Sequence, residues 1–169
     1  VATDEHDEDG VLISDEFTHP HKRRKMVEKR ARKFQNIDQE VAAPELEGPA
    51  DAEVTLIGWG STYGVIKEAV QQLKEQGINA NQLPVKWLIP LNGDAISVTL
   101  AKCQRTIIVE NNYSGQFARY LRSETGFAAN GHIRKYDGEP FMPHHIVDGG
   151  LEQLSGKTNH SVPYQEVIV

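Results

Sequence analysis

Two short loops carry the residue types and spacings from which chemistry could be built. The first is Gly58-Trp59-Gly60-Ser61-Thr62-Tyr63-Gly64. Its glycines permit tight turns, and its two hydroxyls stand at the start of a helix whose free N–H groups favour an anion. The spacing approaches a dinucleotide-binding fingerprint and then misses it. The third glycine falls one place late, and the second apolar run closes on Leu91-Asn92 where that fingerprint needs an acid. The competing reading is architectural: glycines for close strand–helix packing, with Ser61 or Thr62 capping the helix. The second loop, Glu110-Asn111-Asn112-Tyr113-Ser114-Gly115-Gln116, sets a carboxylate and two amides at the end of an apolar strand. These groups could bind a polar ligand or cap the helix that follows. Gly60, Ser61, Thr62, Glu110 and Asn112 are therefore the candidate contact residues.

Other chemistries find less support. His144 and His145 are adjacent and face different ways on a helix, while His19-Pro20-His21 lies in a charged turn, so neither pair has metal-ligand spacing. No Gly-x-Ser-x-Gly elbow occurs, and the single cysteine, Cys103, sits late in a helical stretch without an activating base. One thiol can close no internal disulfide and cannot supply an iron–sulfur cluster or a structural zinc site. No catalytic residue and no metal ligand is assigned.

The elements that must position these loops read as one α/β domain behind a charged arm. The 169 residues hold 38% hydrophobic and 25% charged side chains, which suits one folded domain with an appendage. A net charge of −6 provides no broad positive field for nucleic acid, and no apolar stretch is long enough to span a bilayer. The amino terminus lacks the features of a leader, so the chain reads as cytoplasmic, and its start at Val1 reads as that of a piece cut from something longer.

Half of the 24 acids and 8 of the 18 basic residues fall in positions 1–50, the arm. There Pro20 opens an amphipathic helix with Val27, Ala31, Phe34, Ile37 and Val41 on one stripe. The proline- and acid-rich segment 42–53 reads as a linker into the domain at 51–154, and 155–169 as a tail or short strand. Within the domain, strands are expected at 54–58, 85–91, 106–109 and 133–136. Helices are expected from about Ser61 to Gly77, 94–102, from about Ser114, and from Pro143 to Leu154. This alternation predicts a three-layer, Rossmann-like α/β fold with an open, mostly parallel sheet covered on both faces.

Four separated motifs then carry a family resemblance. VTLIGWGSTYGVIKEAVQQLKEQGI, RTIIVENNYSGQFARYLR, KYDGEPFMPHHI and the arm's DEHDEDG with KMVEKRARKF resemble, in order, the carboxyl-terminal part of the alpha subunit of 2-oxoacid:ferredoxin oxidoreductases of the 2-oxoglutarate type. The resemblance covers about residues 4–150 and implies a transketolase carboxyl-terminal-like domain. It further implies an enzyme that decarboxylates a 2-oxoacid on thiamine diphosphate with magnesium, reduces ferredoxin through iron–sulfur clusters, and releases an acyl-coenzyme A. The implied partners are the rest of the alpha subunit, a beta subunit and ferredoxin. The motifs match at Gly58, Gly60, Ser61, Thr62 and Gly64 and at Glu110, Asn112, Gly115 and Gln116, whereas His144-His145 replaces a more usual acid. The diphosphate and cluster motifs belong to other segments, so the resemblance implies a structural, inactive domain that binds no cofactor itself. The alternatives are a stand-alone nucleotide-binding or regulatory module and a transketolase-type subunit.

Overall fold

The chain divides into two compact units, Val1–Val41 and Ala42–Val169, and the computed structural model describes residues 5–6, 12–13 and 20–163. In the first unit β1 (Glu5–His6) pairs antiparallel with β2 (Leu12–Ile13). The helix α1 (Pro20–Glu40) begins on the proline, whose fixed φ suits a first turn that needs no N–H donor. Its expected stripe is exposed at Val27, Phe34 and Ile37. Most of the acidic stretches that precede α1, and His19, lie outside the described residues.

The second unit alternates strand and helix: β3 (Val54–Trp59), α2 (Thr62–Glu75), β4 (Ala80–Val85), α3 (Gly93–Leu100), β5 (Thr106–Glu110), α4 (Gln116–Thr125), β6 (Gly131–Arg134), α5 (Pro143–Leu154) and β7 (Asn159–Ser161). The five strands form one parallel sheet in the order β4-β3-β5-β6-β7. Side chains alternate across each strand, so β5 sends Ile107 and Val109 into a core with α2 and α5, and Ile108 into a second core with α3 and α4. The result is the expected three-layer α/β architecture. Helix α2 turns Ile66, Ala69, Val70 and Leu73 inward and ends at Gly77, whose φ of +83° suits a residue without a Cβ.

Two expectations need correction. The second strand lies at 80–85, not 85–91. The apolar run 85–91 leaves Trp87 and Ile89 exposed, whereas the more polar ANQLPV is buried throughout. Its polar side chains are met by the segment before β3: Asn81 Nδ2 donates to the Pro49 carbonyl at 2.7 Å, and Gln82 Nε2 to Glu47 at 2.8 Å. Glu47 also forms an isolated antiparallel bridge with Gln82, which covers the edge of β4 and shields its backbone groups.

The sheet is also not covered everywhere. Three connections share one hand: β3 to β4 runs through α2 on one face, while β4 to β5 and β5 to β6 run the other way through α3 and α4 on the opposite face. The connection from β6 to β7 continues in that second direction but through α5, on the face of α2. It therefore has the opposite hand, against a strong general preference. The α4-side face of β6 and β7 is left without a helix of its own. The expected tail or short strand at 155–169 holds β7 at Asn159–Ser161, and its last six residues, 164–169, lie outside the described residues.

Candidate functional site

In a doubly wound sheet a ligand crevice opens where neighbouring strands diverge to opposite sides, beyond their carboxyl ends. Here that point lies between β3 and β5, and both loops singled out in the sequence leave from it. They meet through the rings of Trp59 and Phe117, 6.4 Å apart.

The first loop is closed by its own hydroxyl. Thr62 Oγ1 donates to the Trp59 carbonyl at 2.9 Å and accepts from the Trp59 N–H at 3.1 Å, and the side chain is buried. Gly60 takes the left-handed turn at φ +57°, and Ser61 is exposed with no side-chain cap to α2. Gly58 permits close packing, because a Cβ there would fall 2.2 Å from Ile66 Cδ1 and 2.6 Å from Thr62 Oγ1. Gly64 does not share that role. It sits exposed in the first turns of α2, and a Cβ there would meet nothing within 4 Å. Gly64→Ala should accordingly stabilise the chain by about 0.5–1 kcal/mol through helix propensity, a gain that urea unfolding would register as a higher midpoint.

The second loop caps α4 completely. The buried Glu110 carboxylate accepts from the N–H groups of Phe117 (2.7 Å) and Ala118 (3.1 Å), and Asn112 Oδ1 accepts from those of Gly115 (2.7 Å) and Gln116 (3.0 Å). Asn112 Nδ2 donates back to Glu110 at 2.8 Å. The donors that a helix start offers to an anion are thus all held within the chain. Of the candidate contact residues, Thr62, Glu110 and Asn112 turn their polar atoms inward. Gly60 supplies a turn, and Ser61 alone presents a free hydroxyl.

The histidines are dispersed among separate tasks. His145 Nδ1 accepts from the Met142 N–H at the start of α5, His160 pairs with Glu152 at 2.8 Å, and His144 stacks edgewise on His145. Among the described residues no group of three His, Cys, Asp or Glu side chains could hold a metal ion.

A feature not singled out in the sequence is a cleft on the bare face of β6 and β7, lined by Arg119, His132 and Arg134 and continued past Arg122. Its only sequence signals are Arg119 and Arg122 three apart on a helix and His132 and Arg134 alternating on a strand, and neither says that the face is uncovered. Burial, with the Arg134 charge beside it, holds the His132 imidazole below the ordinary histidine range, while the Glu110 carboxylate pulls the other way. His145 is shifted in the same direction, first by burial and then by His144 and Lys135.

A lowered folded value means that the unfolded chain takes up protons first. Stability should therefore be full above about pH 6.5 and fall as pH drops through the lowered folded values. In melting curves between about pH 7 and pH 5, His132→Gln should show a smaller loss than the parent, with His145 supplying the remainder. An unchanged loss would exclude His132 as a source.

Comparison with known proteins places this geometry. The family model described as pyruvate:ferredoxin oxidoreductase core domain II matches residues 52–146. The 2-oxoacid:ferredoxin oxidoreductase 1 alpha subunit of Aeropyrum pernix is 37% identical over 154 residues, covering 88% of this chain and 24% of that one. The corresponding alpha subunit of Saccharolobus solfataricus is 31% identical over 149 residues, 86% of this chain and 23% of that one. Among solved structures, the 2-oxoglutarate:ferredoxin oxidoreductase from Magnetococcus marinus, with 2-oxoglutarate, coenzyme A and succinyl-CoA bound, is similar at a TM-score of 0.70 and 30% identity. That match covers 91% of this chain and 26% of the other. The chain spans about a quarter of the length of the curated relatives it matches.

Proposed function

The chain belongs to the pyruvate:ferredoxin oxidoreductase core domain II family, and from that premise we propose that it is the carboxyl-terminal domain of the alpha subunit of a cytoplasmic 2-oxoglutarate:ferredoxin oxidoreductase. The whole enzyme decarboxylates the 2-oxoacid, transfers the acyl group to coenzyme A and passes the electrons to ferredoxin. The observation that carries the reading is the match of the family model to residues 52–146, which take in the sheet from β3 through β6. The choice of 2-oxoglutarate is supported by the ligands named for the Magnetococcus marinus enzyme.

Within that enzyme the domain's part is structural and assembly-related. Thiamine diphosphate and its magnesium ion do not fit the crevice between β3 and β5. The start of α4 is already closed by the Glu110 carboxylate, which would repel a diphosphate, and that carboxylate is spent on two backbone N–H groups and Asn112. The thiamine cofactor, magnesium and clusters are therefore assigned to the remainder of the alpha subunit and to a beta subunit.

The reading is tested by expressing the intact alpha polypeptide with the beta subunit encoded beside it and assaying coenzyme A-dependent reduction of ferredoxin against a panel of 2-oxoacids. Co-purification of the two chains and highest kcat/KM with 2-oxoglutarate are expected. Turnover confined to another 2-oxoacid would remove the substrate assignment, and no turnover with any of them would remove the enzyme assignment.

A further inference from the structure

The cleft beside α4 concentrates positive charge on a protein of the opposite overall sign. Arg119 projects from α4 and Arg134 from the uncovered face of β6, beside His132, into a cleft of about 340 Å³, and Arg122, one turn along α4, lines an adjoining hollow of about 180 Å³ that shares Arg119 and Arg134. The whole chain carries a net charge of −6. Yet among the described residues none of these three guanidinium groups lies within ion-pairing distance of a carboxylate. Glu110 stands opposite Arg134 in the strand register, but its oxygens are committed to the cap of α4. Among the described residues no acidic side chain lines the cleft.

Among the described residues two of its buried polar atoms have no hydrogen-bond partner: Arg134 Nε and His132 Nδ1. Buried nitrogens of this kind are ordinarily satisfied, and since an arginine Nε only donates, the isolation of Arg134 Nε points to a missing acceptor. The Arg134 guanidinium is also held in place. It lies against the backbone at Gly115, where a Cβ would stand 2.7 Å from Nη2 and where φ is +68°. The residue that precedes α4 thus makes room for the cation as well as for the turn.

We propose that this cleft is an oxyanion site that binds a phosphorylated small molecule of nucleotide size. Planar guanidinium groups grip phosphoryl oxygens in pairs, which fits three arginines converging from a helix and a strand. Ser114 and Ser161 also line it, the Ser161 hydroxyl donating to the Tyr136 hydroxyl at 3.4 Å. At the mouth the exposed rings of Tyr113 and Tyr136 stand edge to face with centroids 5.1 Å apart, a surface for a planar group. The volume falls at the lower end of that seen for small-molecule sites. The inference does not rest on the oxidoreductase reading, since it uses only groups of this chain, on α4, the loop before it, β6, β7 and Tyr136.

Calorimetric titration of pyrophosphate and of ADP into the intact protein that carries this chain tests the site, with two variants beside the parent. Arg119→Gln/Arg122→Gln removes two cations that are exposed on α4 and so leaves the fold intact, and Ser114→Glu sets a carboxylate at the cleft wall. Saturable binding is expected, weakened by about tenfold or more in each variant and falling with added salt. Tighter binding of ADP than of pyrophosphate is expected of a site of nucleotide size, and equal or weaker binding of ADP would overturn that assignment of size. Absence of saturable binding, or binding that neither variant weakens, would overturn the proposal. So would a structure of the intact protein with a carboxylate-bearing segment of polypeptide seated on Arg119 and Arg134.

Discussion

Replacing Glu110 with alanine should cost the domain about 2–4 kcal/mol, the largest loss expected from any single polar substitution in it. The carboxylate is buried at the end of β5 and receives three hydrogen bonds, two of them from the first turn of α4. Without it, the N–H groups of Phe117 and Ala118 are left without acceptors in a site closed to water, and Asn112 loses the partner that orients it to hold Gly115 and Gln116. Charge matters as well, because the carboxylate faces the positive end of the helix. Glu110→Gln keeps one acceptor and removes the charge, so its loss should be smaller, about 1–2 kcal/mol. Equilibrium urea unfolding of both variants measures the difference. A fully stable Glu110→Ala chain would mean that the cap is dispensable and that the carboxylate is held for some other purpose.

The second large effect is expected at Gly58. An added methyl must displace Ile66 Cδ1 from 2.2 Å and the Thr62 hydroxyl from 2.6 Å, and the hydroxyl cannot move without releasing its two bonds to Trp59. Gly58→Ala should lower stability by about 1–3 kcal/mol, the range for forcing a methyl into a packed site. The same substitution six residues later, at Gly64, acts in the opposite direction. The pair therefore separates a glycine kept for packing from one that packing does not require. Equal effects at the two positions would contradict the packing account of this loop.

How far these roles could be read from the sequence varied with the distance of the partner. The strands at Val54 and Thr106 are visible as apolar runs, and the inward face of α2 follows from the spacing of Ile66, Ala69, Val70 and Leu73. Both loops at the crevice were marked by their residue types, and the capping reading of the second needed only neighbours in the chain. The second strand is not legible at 80–85 because Asn81 and Gln82 look solvent-facing until Pro49 and Glu47, more than thirty positions earlier, are known to meet them. Gly58 and Gly64 are indistinguishable as letters, and only the path of Ile66 over β3 separates them. The arginine cleft depends on the reversed hand of the last crossover, a property that no local pattern encodes.

The claim that joins these observations is that the domain supports the chemistry of its enzyme and does not perform it. Ser61 gives the sharpest test, since among the candidate contact residues it alone presents an exposed hydroxyl that caps nothing. The measurement is the 2-oxoglutarate-dependent rate of ferredoxin reduction per assembled complex of the intact enzyme, wild type against Ser61→Ala. A supporting domain predicts a kcat/KM within about twofold of wild type. A loss of about tenfold or more in a complex that assembles normally would place this loop against a reacting group and contradict the account.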